Sequence, residues 1–390
     1  MSETFPPEVN GVALTLSRLV NGLCLRGHRV VVVRPRQRGE AAEGPRVHNA
    51  ASEFEQWLVP GCPIPFYNAL RVGLPSGGML KRRWRARRPD LVHIATEGPL
   101  GYSALSAARK LGIPVTSGFH TNFHQYGGHY GFRFVRRFAL GYLRRFHNRT
   151  RCTLVPTEEL RSRLSRLKFK NLAVLSRGVD ARLFSPARRS EALRKSWGAA
   201  ADDPVVINVG RMAPEKNLDL AVETFRAMRL INPRSKLVLV GDGPLRGPLQ
   251  AKYPDFIYTG MLEGEALATH YASADVFLFP SLTETFGNVV TEALASGLVV
   301  AGFDYAAMRQ HVTNAVNGWS VKVGDRSAFI QMGCDVLGIR GDWPKMRAAA
   351  RTMAQTISWE TIVAQFEMLL SRQAGVELPP QPRGGSVPPQ

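Results

Sequence analysis

The chain has 390 residues, 44% hydrophobic and 21% charged, an ordinary soluble composition with length for two cores. No window approaches 18 consecutive apolar residues, the first residues lack the basic and apolar regions of a signal peptide, and Cys24, Cys62, Cys152 and Cys334 form no Cys-x-x-Cys pair; a spanning helix, a secretory leader, a disulfide framework and a zinc site are therefore not expected, and a reducing cytoplasm fits. The net charge of +20 is one-sided: residues 1–189 hold 32 Lys and Arg against 11 Asp and Glu, a net of +21, and residues 190–390 hold 19 against 20, so the first half is expected to face a membrane surface, nucleic acid or a charged substrate.

Strand and helix patterns alternate through both halves, which predicts an α/β fold with parallel sheets. Phe5-Pro6-Pro7-Glu8-Val9-Asn10-Gly11 reads as a turn into a helix over 12–25. There Gly11 either lets the backbone approach a phosphate at the helix N-terminus or serves only as a turn glycine. A doubly wound half begins with an apolar strand feeding such a turn. None precedes this one, so the native chain is expected to start upstream of Met1; loss of a central strand leaves a sheet edge unpaired. Strands follow over 29–34, 91–95, 115–119 and 153–156, with helices over 100–111 and 130–148.

Glu97, just past strand 91–95, either caps the next helix or touches an acceptor. His120 ends strand 115–119, a position that favours ligand contact. His124 and His129 nearby are acceptor-side or surface residues, and no carboxylate or Cys accompanies the three histidines to complete a metal site. Basic runs cover 81–88, 133–151 and 161–170. Within 133–146, Arg and aromatic residues recur at helical spacing. Such a helix lies in a membrane interface with Phe134, Phe138 and Tyr142 below its cations, or shows a solvated basic face over an apolar one. No base-reading motif accompanies the charge, so nucleic acid is not an expected partner.

Arg177-Gly178-Val179-Asp180 reads as an interdomain joint with Arg177 facing the cleft, and Leu183-Phe184-Ser185-Pro186 after it as the linker. Beyond it the pattern predicts strand 205–209, helix 218–228, strands 236–240 and 256–259, helix 265–273, and strands 276–279 and 298–302 flanking a helix that opens near 286–287. Ligands of open α/β sheets sit outside the carboxyl ends of strands. Strand 205–209 ends on Gly210-Arg211, with Lys216 just beyond; a planar guanidinium and a point charge together suit a diphosphate. Gly241-Asp242-Gly243-Pro244 is chiefly a turn device, and Gly260-Met261-Leu262 follows the next strand. Glu284 stands before the helix and Glu292 about two turns inside it at ~1.5 Å per residue, roughly the span from hexose to ribose in a nucleotide-sugar. Free N–H groups at Phe286, Gly287 and Asn288 suit an anionic or hydroxyl-rich ligand. A bare pair of Glu residues reads as a solvated face; the apolar strand before it, the Phe-Gly-Asn turn and the Ala295-Ser296-Gly297 exit make the pattern specific. The last periodic helix covers 361–372, and the Pro- and Gly-rich stretch 377–390 is expected to be disordered.

In the 275–300 motif, in Gly210-Arg211 with Lys216, and in Gly178-Val179-Asp180 followed by Phe184 and Pro186, the chain resembles the retaining GT-B glycosyltransferases of family 4. The likeness is to the branch with sulfoquinovosyl-lipid synthases and GDP-mannose-dependent α-mannosyltransferases, and it covers nearly the whole chain. It implies two Rossmann-like domains facing across a cleft: residues 1–185 for the acceptor, 186–357 for the nucleotide-sugar, a helix over 358–374 returning to the first domain and a disordered tail over 375–390, with the first strand missing. It implies that Arg211 and Lys216 hold the donor diphosphate, that Glu284 and the N–H groups of Phe286, Gly287 and Asn288 bind the sugar, and that Glu292 binds the ribose. Gly11 would approach the phosphate, the backbone at Met261 and Leu262 would lie at the base, and His120 would contact the sugar near its reacting carbon. The acceptor oxygen attacks the face from which the phosphate leaves, with that phosphate as base and without metal or cofactor. The expected reaction moves a hexose from GDP-mannose or UDP-glucose to a membrane glycolipid or diacylglycerol-type acceptor, with the enzyme peripheral on the cytoplasmic face of an anionic membrane. A soluble or polysaccharide acceptor, a GT-B epimerase or a phosphorylase are the alternatives; a nucleic-acid binder would rest on charge alone.

Overall fold

The structure is a computed structural model that describes residues 1–8, 10–37, 40, 47–49, 52–64, 67–120 and 133–376. His124, His129, the stretch 377–390 and the side chain of Phe134 lie outside the described residues. The first half contains α1 (Gly11–Leu25), β1 (Val31–Pro35), β2 (Val47–Asn49), β3 (Ser52–Val59), β4 (Gly61–Ile64), β5 (Tyr67–Gly73) and α2 (Gly77–Ala86). It continues with β6 (Val92–Ile94), α3 (Pro99–Lys110), β7 (Val115–Gly118), α4 (Arg133–His147), β8 (Cys152–Val155), α5 (Glu158–Arg166) and β9 (Leu172–Val174). The second half contains α6 (Glu191–Ser196), β10 (Val205–Val209), α7 (Leu218–Ile231), β11 (Lys236–Val240), α8 (Arg246–Lys252), β12 (Ile257–Gly260) and α9 (Gly264–Ser273). After these come β13 (Val276–Phe279), α10 (Asn288–Ala295), β14 (Val299–Phe303), α11 (Ala306–His311), β15 (Gly318–Val321), α12 (Arg326–Gly338), α13 (Trp343–Thr356) and α14 (Trp359–Ala374). No helix of the described residues is long and apolar enough to cross a membrane.

The second half is one parallel sheet in the order β12-β11-β10-β13-β14-β15. Its strands are apolar runs because helices cover both faces, and β10 is buried at every position. Successive residues serve opposite cores: Val205 and Ile207 join one cluster and Val206 the other. Strand order reverses between β10 and β13, so their loops diverge and leave a crevice at their carboxyl ends.

The first half is divided. β1, β3 and β2 form one sheet, β6 to β9 form a parallel one, and β4 pairs antiparallel with β5. Between β1 and β6 run only Met1 and Ser2 among the described residues: the Met1 nitrogen donates to the His93 carbonyl at 2.9 Å, and the Ser2 N–H to the Val33 carbonyl at 3.0 Å.

Two segments bind the halves together. Helix α14 lies on α1, with Ile362, Val363 and Phe366 against Leu19 and Leu23. A Cβ on Gly22 would stand 2.4 Å from a Val363 methyl, so glycine sets how closely the helices approach. Glu367 on α14 accepts from Arg26 Nε at 2.6 Å and pairs with His28 at 2.6 Å. The expected linker at Leu183-Phe184 is not a free tether: Val179 and Phe184 sit in the second half's core, and Arg351 donates to the carbonyls of Ala181 and Phe184 at 2.6 Å each.

Candidate active site

The crevice between β10 and β13 is built by glycines that let loops touch. A Cβ on Gly241 would stand 2.0 Å from the Gly210 carbonyl oxygen, and one on Gly243 2.5 Å from that of Met212. The Met212 N–H in turn donates to Asp242 O at 2.8 Å. Gly241-Asp-Gly243 is thus a turn device that props the loop after β10. That loop ends in one helical turn, Pro214–Lys216, followed by Asn217 in the left-handed region. Asn217 Nδ2 donates to Pro280 O at 3.3 Å, and the Leu282 N–H to Glu215 O at 3.0 Å. These bonds stitch the loop after β10 to the loop after β13. They bring Lys216 Nζ onto the Glu284 carboxylate, which also accepts from Ser281 Oγ at 2.8 Å.

Helix α10 begins at Asn288, after Gly287 at φ +93°, a conformation that a side chain resists. No side chain caps α10, so its first N–H groups keep their affinity for an anion or hydroxyl. Phe286 is buried and its carbonyl accepts from the Ala307 N–H at 2.9 Å, so both ring and carbonyl anchor the turn before α10. Glu292 receives a hydrogen bond from Tyr271 OH at 3.1 Å, and burial pushes its carboxyl up to about 7. Arg211 is exposed at the crevice rim and makes no ion pair among the described residues. Met261 is also exposed, whereas Leu262 packs on the second core.

Gly11 and His120 come from the first half. Asn10 caps α1, accepting from the N–H groups of Val12 and Ala13 at 3.1 and 2.9 Å, which fixes Gly11 as its first residue. A Cβ on Gly11 would lie 3.7 Å from Arg177 Nη1 and 3.8 Å from Asn288 Nδ2. The turn before α1 therefore meets the start of α10 with Arg177 between them. The His120 ring folds over Gly118 beside a 30 Å³ cavity that Arg177 also lines. Burial, then the charge of Arg177, hold its pKa down to about 3, so it is neutral.

Arg177, expected at the joint between the halves and facing the cleft, is a residue to which the sequence assigned no role. Its guanidinium is buried, with Nη1 3.4 Å from Asn288 Oδ1 and Cζ 5.8 Å from the Phe286 ring centroid, while Nη2 has no partner. Burial lowers its pKa to about 10 and the Glu284 charge opposes that shift. A buried cation with one nitrogen left unpaired is costly unless a ligand completes it. The available signal was an Arg at the crossing between halves, which spacing alone does not connect to Asn288 or Phe286. Nearby, Glu159 accepts from the Ala306 N–H at 3.3 Å and pairs with Arg309 at 3.2 Å, also across the halves.

Two first-half expectations resolve on geometry. Glu97 does not cap α3: Glu3 takes that role, accepting from the Leu100 N–H at 3.1 Å, because Gly98 packs against the Glu3 carboxylate. Glu97 instead meets His147 Nε2 at 3.0 Å, and His147 Nδ1 meets Ser117 Oγ at 2.9 Å. Helix α4 has both faces: Leu143 and Phe146 are buried, while Phe138 and Tyr142 are exposed among Arg137, Arg144 and Arg145, with Tyr102 stacked on Tyr142 at 6.1 Å.

Known proteins resemble the chain in sequence and in fold. The signature of Glycosyltransferase Family 4 matches residues 9–183 and that of Glycosyl transferases group 1 matches residues 203–338. A GDP-mannose-dependent alpha-mannosyltransferase of Mycobacterium tuberculosis is 34% identical over 325 residues, 83% of each chain. An alpha-monoglucosyldiacylglycerol synthase of Acholeplasma laidlawii is 28% identical over 77% of this chain and 78% of its own. Anabaena HepE, solved with UDP, superposes with a TM-score of 0.73 at 17% identity over 95% of this chain and 98% of its own. With both signatures in chain order, a third of the aligned residues shared with the mycobacterial enzyme and the HepE fold throughout, the chain belongs to the GT-B glycosyltransferases of family 4.

Proposed function

We propose that the chain is a retaining hexosyltransferase that moves mannose from GDP-mannose to a glycolipid or diacylglycerol-type acceptor at the cytoplasmic face of an anionic membrane. Residues 1–185 carry the acceptor, 186–357 the donor, and 358–374 strap the two lobes. The observation that carries this reading is the convergence of Lys216, Glu284, Arg177 and the uncapped start of α10 on one crevice at the strand-order reversal. The donor is inferred from the mycobacterial relative, the lipid acceptor from the diacylglycerol relative and from the exposed aromatic and basic face of α4.

In the donor-free protein Lys216 and Glu284 satisfy each other. The donor separates them, taking Lys216 with its diphosphate and Glu284 with hexose hydroxyls, both through charge-assisted hydrogen bonds. Arg211, at the rim, takes a second phosphate oxygen. Asn288 and Gly287 present N–H groups to the sugar, Gly11 lets the first lobe's backbone close over the phosphate, and Glu292 accepts from the ribose hydroxyls beyond. The base stacks by Met261 and Leu262. Neutral His120 both donates and accepts, as a sugar hydroxyl near the reacting carbon requires. As the bond from the anomeric carbon to phosphate breaks, the acceptor oxygen bonds that carbon on the same face, and its proton passes to the departing phosphate oxygen. Preplaced cations stabilise the charge that grows there without a divalent metal. Closure of the lobes excludes water and limits donor hydrolysis.

The test incubates the protein with total membrane lipid and a panel of nucleotide-sugars, with and without EDTA, and reads products by mass spectrometry. GDP release in step with a mannosylated lipid, unchanged by EDTA, is expected. Sugar turnover that needs no acceptor would instead identify an epimerase.

A further inference from the structure

Ala306, just past the carboxyl end of β14, stands at φ +50°, in the left-handed region that favours glycine. An alanine there brings its Cβ against the following carbonyl, and such a conformation persists only where the surroundings over-determine it. Within the second half, Tyr305 OH donates to Ser281 O at 2.8 Å and the Ala307 N–H donates to Phe286 O at 2.9 Å. From the first half, the Glu159 carboxylate in the first turn of α5 accepts from the Ala306 N–H at 3.3 Å and holds Arg309 at 3.2 Å. Arg309 is fixed in turn by Asp304, its Nε 3.2 Å from Oδ1.

The residues flanking Ala306 therefore hold both parts of the proposed hexose site. Ser281, whose carbonyl Tyr305 grips, donates its Oγ to Glu284 at 2.8 Å. Phe286, whose carbonyl Ala307 grips, leads through Gly287 into the start of α10. The His311 ring meets the Phe286 ring edge-on at 5.8 Å, which packs α11 against the same turn. Relaxation of Ala306 to a right-handed conformation reverses the sign of φ, so Tyr305 and Ala307 cannot both keep their partners. The Glu159–Arg309 pair is exposed, 42% and 48% at the two side chains, and an exposed pair by itself contributes little to stability. Its weight comes from the strained residue beside it.

We propose that Glu159 is a positioning residue for the sugar: from the first lobe it holds Ala306 left-handed, and through Tyr305 and Ala307 it keeps Glu284 and the start of α10 where a hexose is gripped. Contact between the lobes is thereby coupled to hexose binding, and by reciprocity hexose binding favours the contact. The identity of the ligand rests on the donor reading above. The coupling from Glu159 to Phe286 does not.

The experiment compares the unaltered protein with Glu159→Ala, Glu159→Gln, Tyr305→Phe and the double variant Glu159→Ala with Ala306→Gly. Hydrogen exchange at Ala307 is read without ligand, and Kd for GDP and for GDP-mannose by calorimetry. Glu159→Ala is expected to speed exchange at Ala307 about 10-fold with the amides of β10 unchanged. It should weaken GDP-mannose about fivefold and GDP less than about twofold, because GDP carries no hexose. Glu159→Gln, which still offers an oxygen to Ala306 but no charge to Arg309, should lie between. Tyr305→Phe alters no first-half residue and should reproduce the hexose-selective loss. Ala306→Gly should recover most of what Glu159→Ala loses, since glycine holds a positive φ without help. Unchanged exchange at Ala307 in Glu159→Ala, equal losses for GDP and GDP-mannose, a silent Tyr305→Phe, or a loss that Ala306→Gly leaves in place overturns the proposal; the last result makes Glu159 only a clasp between lobes. If the unaltered protein binds GDP-mannose no more tightly than GDP, the donor reading fails, and exchange at Ala307 alone decides the coupling.

Discussion

Lys216 and Glu284 are a mutual pair before they are donor ligands, and that shapes what substitutions do. Lys216→Ala leaves Glu284 with Ser281 as its remaining side-chain partner and removes a cation from the leaving group; kcat is expected to fall about 100- to 1000-fold with Tm nearly unchanged. Glu284→Gln frees Lys216 but loses the charged acceptor for the hexose, with a similar loss. Because the residues act on one ligand, the double variant should lose far less than the product of the single losses, which GDP-release kinetics will show. Glu292 adds a pH signature. Its folded pKa of about 7 lies above the ordinary 4.5, so between those values the folded protein holds a proton that the unfolded chain has released. Glu292 therefore makes stability fall as pH rises through that window. Donor binding runs the other way, since only the carboxylate accepts from both ribose hydroxyls. The KM for GDP-mannose is expected to drop between pH 6 and 8, and Glu292→Gln to flatten that dependence.

Among the elements, strands buried on both faces were the most legible. β10, β11 and β13 have the bounds that their apolar runs predicted, α1 differs by one residue at its start, and α3 is shifted by one residue at each end. β2 to β5 were not legible. β4 and β5 pair antiparallel through Gly61, Cys62 and Pro63, residues with little strand preference, and β3 alternates only weakly. Their pairing comes from tertiary contact, such as Trp57 under Arg83 at 4.6 Å. In the site, Lys216, Glu284 and Asn288 stand out in the sequence because each sits at a strand exit or helix start. Arg177 reads as facing the cleft but receives no role, because its contacts with Asn288 and Phe286 depend on how the halves meet. Helix α14 was legible as a helix, but its seat on α1 depends on a glycine that periodicity ignores. Gly22→Leu is expected to cost about 1–3 kcal/mol in urea unfolding, as overpacking at a close helix contact does. Helix α4 presents an exposed face, with Phe138 and Tyr142 among its arginines. Phe138→Ser with Tyr142→Ser should weaken sedimentation with anionic vesicles about 10-fold. Turnover of a short-chain, water-soluble acceptor should stay within about twofold, since such an acceptor reaches the crevice without a membrane.

At the scale of the whole molecule, the charge imbalance and the active-site cations meet different amounts of solvent. The first half carries a net +21, and much of it is on exposed Arg such as Arg137, Arg144 and Arg145. Charges in water are screened within about 8 Å at physiological salt, whereas partly buried pairs feel much less screening. Arg177 is buried, and Lys216 is mostly shielded, at 21% side-chain exposure. Salt should therefore separate the two anionic partners of the proposed reaction. Raising NaCl from 0.05 to 0.5 M is expected to weaken attachment to anionic vesicles at least 10-fold and to raise the apparent KM for a membrane-embedded acceptor in parallel, because each exposed Arg near the surface contributes about 1 kcal/mol. The KM for GDP-mannose, measured with a short-chain acceptor in solution, should change by less than about threefold, because its cations are held in the crevice. If both constants rise together, the donor is bound by surface charge, and the buried arrangement around Arg177 and Lys216 is not what grips the diphosphate.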